Sequence, residues 1–97
     1  MPDYIVLLNW TDQGIANFRD TLERADAAAK LAERLGAKLA DIYWCLGPYD
    51  LVGRLEAPDD ETATAFALQL SSQGNVRTTT QRAFTREEVE GIIAKAG

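Results

Sequence analysis

There is no histidine in this chain of 97 residues, and Cys45 is its only cysteine. The first absence removes the commonest general base and the commonest metal ligand together. The second excludes an internal disulfide and a thiolate-built zinc site. Positive charge is also short, with 10 Lys and Arg against 15 Asp and Glu, for a net charge of −5. The basic residues are scattered singly from Arg19 to Lys95, so none of them builds the cationic face that nucleic acid needs. Long apolar runs are missing as well. Ile5-Val6-Leu7-Leu8 is flanked by Asp3 where a signal peptide would be basic, and nothing approaches the ~20 apolar residues of a membrane helix. No glycine-rich phosphate loop precedes a helix. These absences lead us to expect a soluble, cytoplasmic, single domain over residues 1–97, without cofactor, metal, nucleic acid or membrane.

What is present reads as alternating strands and helices. Tyr4–Trp10 is almost continuously apolar, as in a central strand covered on both faces. Asp12–Arg19 reads as a loop or a short helical turn, with Ile15 and Phe18 facing inward. Asp20-Thr21-Leu22-Glu23 has the spacing of a capping box, and Leu22, Ala25, Ala29, Ala32 and Leu35 follow at helical intervals until Gly36 stops the helix. The charged set Glu23, Asp26, Lys30, Glu33 and Arg34 lies on its outer side. Lys38–Cys45 and Tyr49–Glu56 are strands joined by the turn Leu46-Gly47-Pro48. Pro58–Glu61 opens a helix with acids at its positive end, Ala63, Phe66, Ala67 and Leu70 face inward, and Gly74-Asn75 closes it. Val76–Phe84 is a threonine-rich strand. Thr85-Arg86-Glu87-Glu88 is a further capping box, ahead of a terminal helix with Val89, Ile92 and Ile93 as its apolar stripe. Two βαβ units with right-handed crossovers give an α+β, ferredoxin-like plait: a four-stranded antiparallel sheet with two helices on one face.

The other face of that sheet is then open. Alternation turns Leu51, Gly53 and Leu55 toward the helices, and Asp50, Val52, Arg54 and Glu56 away from them. Ile5, Leu7 and Asn9 share the open face, and Thr78, Thr80 and Arg82 are expected to join it. Such a face is too apolar to be left in water, so we expect a homodimer formed through it.

At "LGPYDLVGRLEAPDD" the sequence resembles the GYD-domain family, marked here by Gly47-Pro48-Tyr49-Asp50. "YIVLLNWTDQGI" near the start and "GNVRTTTQRAFTREE" near the end fit the same pattern in order. The resemblance implies a dimeric α/β barrel and no particular catalytic residue. The residues themselves leave two roles open. Asp50 either accepts hairpin amides, with Tyr49 packed under the turn, or stands as a carboxylate at a pocket mouth with Arg54 holding an anion. Trp10, Tyr43 and Trp44 are core lids, dimer contacts or a ligand platform. Asn9 interrupts an apolar strand and needs a partner, and Arg82 flanks a threonine run that could bind an anion. The leading expectation is a module that binds a small molecule or a protein partner without catalysis. The alternative is a cofactor-independent isomerase- or oxygenase-like enzyme using Asp50 or Tyr49 for proton transfer.

Overall fold

The computed structural model covers residues 1–97. Its elements run β1 (Asp3–Trp10), α1 (Asp12–Ala16), a 3₁₀ turn (Phe18–Asp20), α2 (Thr21–Arg34), β2 (Lys38–Trp44), β3 (Leu51–Glu56), α3 (Asp60–Ser72), β4 (Val76–Ala83) and α4 (Arg86–Ala96). The sheet is antiparallel with the order β2-β3-β1-β4. This is the ferredoxin-like arrangement read from the sequence.

The alternation along β1 and β3 builds the core. Tyr4, Val6 and Leu8 of β1 and Leu51 and Leu55 of β3 are buried, and so are Ala28, Leu31 and Ala32 of α2 and Ala63 and Phe66 of α3. The helices end where Gly36 and Gly74 adopt φ values of 81° and 86°, which favour glycine. Asp59 caps α3, its Oδ1 accepting the Thr62 amide at 2.8 Å. At α4 the capping box forms as expected: the Glu88 amide donates to Thr85 Oγ1 at 3.1 Å, and the Thr85 amide to Glu88 Oε1 at 2.9 Å.

Four expectations are corrected. Asp20 does not cap α2; its side chain makes no cap bond, and its backbone (φ −90°, ψ 4°) leaves the 3₁₀ turn already half-helical. The inward stripe of α2 is Ala28, Leu31 and Ala32, while Leu22 is 65% exposed. An alanine run fits two adjacent stripes equally well, and Leu31 settles which one faces the sheet. Ile15 and Phe18 are exposed. The inward residue of α1 is Gly14, where a Cβ would lie 1.9 Å from the Asn75 carbonyl oxygen, so only glycine lets α1 press against the α3–β4 turn. Finally, Thr78, Thr80 and Arg82 pair with Leu8, Val6 and Tyr4 and so lie on the helix side; Arg77, Thr79 and Gln81 take the open face. An unbroken polar strand carries no alternation from which to read its own register.

Candidate functional site

Register lays the open face out in rows. Gln81, Ile5, Arg54 and Asp41 cross the sheet in one row, and Thr79, Leu7, Val52 and Tyr43 in the next. Asn9 and Arg77 pair at the end of the face. Its middle is apolar, with Ile5, Leu7 and Val52 half-buried and Tyr43 63% exposed. None of the chain's own helices packs there.

Arg54 stands at one end of the apolar strip, ringed by acids. Its Nε donates to Asp41 Oδ2 at 2.7 Å, and its Nη1 to Asp3 Oδ1 and to Glu56 Oε2, both at 3.0 Å. The hydrogen bond to Asp41 and then that to Asp3 raise its pKa further above an already high value. One guanidinium among three carboxylates is compensated within its own chain, and the excess charge of the cluster is negative. Glu56 was placed on this face from the sequence, but Asp3 and Asp41 escaped that reading because their convergence on Arg54 depends on the β1–β3 and β2–β3 registers.

Asp50 serves the backbone. Its Oδ2 accepts the Trp10 amide at 2.9 Å, its own amide donates to the Leu8 carbonyl at 2.9 Å, and its carbonyl accepts the Cys45 amide at 2.8 Å. The carboxylate thus ties the start of β3 to the end of β1, outside the hairpin, and accepts no hairpin amide. Tyr49 sits half-buried beside it in the connection, whose tip, Leu46, is fully exposed. Asn9 makes no side-chain hydrogen bond within the chain, so its amide is free on the open face.

The remaining candidates lie elsewhere. Trp10 belongs to the helix side, where it lines an apolar cleft of about 50 Å³ between α2, α3 and the sheet. Trp44 is on that side too, its Nε1 donating to Thr21 Oγ1 at 3.0 Å. Arg82 lies on the helix side near the far end of β4. Its Nη1 donates to the Asp3 carbonyl at 3.2 Å and to the Ala83 carbonyl, its Nη2 reaches Glu88 at 3.4 Å, and its guanidinium covers Phe84 and Tyr4. There Tyr4 donates to Asp60 Oδ1 at 2.5 Å. That bond, and burial after it, push the phenol up to about 12. The eight residues singled out in the sequence therefore divide among an open face, a hairpin latch, a cleft and a far corner. No group of three or more His, Cys, Asp or Glu side chains is placed to hold a metal ion, and no helix is long and apolar enough to cross a membrane.

Comparison with known proteins identifies the family and the fold. Residues 4–93 match the GYD domain. The chain belongs to the GYD domain family. It is 38% identical over 96 residues, 98% of each chain, to the "Glutamine synthetase and cystathionine beta-lyase binding protein" of Thermus thermophilus. A crystal structure of a Thermus thermophilus protein overlays 88% of this chain and 95% of its own length, with a TM-score of 0.58 and 28% identity. MtbAldR overlays 88% of the chain with a TM-score of 0.68 at 14% identity, a likeness of fold alone. This GYD-domain chain spans 54% of that larger protein.

Proposed function

We propose that this chain is a single-domain, non-catalytic binding module that works as a homodimer and docks onto a metabolic enzyme. The observation that carries the reading is the open sheet face, where Ile5, Leu7 and Val52 form an apolar strip that the chain's own helices leave uncovered. Isolated apolar patches of that kind mark interfaces, and a two-fold axis lets the same strip cover itself in a second copy. Asn9, Tyr43 and Arg54 then lie within or around the pairing surface. Pairing leaves the helical side and α4, with Val89, Ile92 and Ile93 exposed, free for the enzyme. The relative's name supports glutamine synthetase or cystathionine beta-lyase as the kind of enzyme bound. Engagement of Asp50 with the Trp10 amide supports a structural role for the family's namesake aspartate. The exposed, unpaired Cys45 suits a reducing compartment, and the reading includes a cytoplasmic location.

The test is to immobilise the chain and titrate it with purified glutamine synthetase and, separately, cystathionine beta-lyase, alongside light scattering of the free chain. Saturable binding of at least one enzyme by a dimeric chain is the expected result. A monomer that binds neither overturns the reading.

A further inference from the structure

The helix side of the sheet is incompletely filled. Where α2 faces the cleft it carries Ala25 and Ala28, and α2 and α3 meet each other at few points. The space between them, about 50 Å³, is walled by apolar side chains that include Trp10, Leu51 and Phe66. Apolar walls of this kind favour an apolar guest over water. The space is too small for a ring, since benzene occupies cavities of about 150 Å³, but it admits a short aliphatic end.

The cleft mouth carries one cation, Arg24. Its Nη2 donates to the Gly14 carbonyl at 3.1 Å, and no carboxylate lies within ion-pair distance of it. A guanidinium has five donors, and Arg24 is half-buried with most of its own unspent. Arg54 and Arg82, by contrast, are ion-paired within the chain. Thr21, Gln73 and Asn75 complete the mouth, and Asp20 and Glu23 line the outer groove beside Arg24. Those two acids repel any anion, and a polyanion more strongly than a single negative charge.

The geometry points to a binding site for a short aliphatic monocarboxylate, with its hydrocarbon end in the cleft beside Trp10 and its carboxylate on Arg24. The site lies on the opposite side of the sheet from the open face, so it stands or falls independently of dimer formation. Carboxylate and guanidinium pair through charge-assisted hydrogen bonds, and the hydrocarbon end gains from leaving water.

The experiment uses the ¹⁵N-labelled chain, whose two tryptophan indole resonances are assigned with Trp44→Phe. It is titrated with 4-methylpentanoate and with 4-methylpentanamide, which has the same shape without the charge. The carboxylate is expected to move the Trp10 resonance saturably and to bind at least tenfold more tightly than the amide. Arg24→Gln is expected to weaken the carboxylate at least tenfold and leave the amide unchanged. Ala25→Leu fills the cleft and is expected to silence Trp10 toward both. An unmoved Trp10 resonance, equal affinities for acid and amide, or undiminished affinity in Arg24→Gln each overturns the proposal. Arg24→Gln decides the matter alone if Ala25→Leu proves unstable.

Discussion

Asp50 joins two strands with both its backbone and its carboxylate, so its removal leaves the half-buried Trp10 amide without an acceptor. Losing such a partner costs about 1–3 kcal/mol, and in a domain of this size each kcal/mol shifts the midpoint by about 4–8 °C. Asp50→Ala should therefore lower the thermal midpoint clearly, and Asp50→Asn, which keeps a side-chain oxygen, by less. Parallel thermal unfolding of both variants checks this, and equal midpoints for Asp50→Ala and the parent chain would refute the latch. Tyr4 gives a prediction at the alkaline end. Its phenol is raised from 10.0 to about 12 by the bond to Asp60 and by burial. A proton held more tightly in the folded chain stabilises it below pH 10, and that contribution drains away as pH rises through about 12. Stability measured across this window should slope downward in the parent chain and run flatter in Tyr4→Phe.

Among the elements, α3 and α4 depend on carboxylate caps. Thr62 holds Asp59 below its usual 3.8, and the Thr85 amide holds Glu88 below its usual 4.5. Groups depressed in the folded state add stability above their unfolded values and lose it as pH falls through their folded ones. Helicity should thus be steady above about pH 4.5 and decline below it. Glu88→Gln should be less helical than the parent chain at neutral pH and converge with it in acid, as circular dichroism can follow. Elements whose own residues carry the pattern were legible in advance: β1 by its near-continuous apolarity, β3 by alternation, α4 by its capping box, the hairpin by Gly47-Pro48. What depended on pairing was not. The polar side chains of β4 hide which face Arg82 takes, the alanines of α2 fit two stripes, and the acids around Arg54 come from three strands. The cleft at Arg24 was invisible for the same reason, because an absence of volume between two helices has no signature along one of them.

For the whole molecule, the proposed dimer rests on the uncovered strip. Leu7 lies in its middle, pointing away from the core, so Leu7→Glu places a charge at the pairing surface without entering the folded interior. Light scattering should find a dimer for the parent chain and a monomer of unchanged secondary structure for the variant. A dimeric Leu7→Glu would move the interface elsewhere. The strand order also reaches back to the making of the chain. β1 is central, yet its two neighbours arrive at very different times: β3 is complete by Glu56, whereas β4 pairs Asp3 with Ala83. During synthesis the first strand made must therefore wait, with one backbone edge bare, for the last strand to leave the ribosome. Long-range pairing of this kind is slow and exposes unfinished chains to aggregation. A nascent chain halted before Val76 would carry its most apolar strand as an open edge.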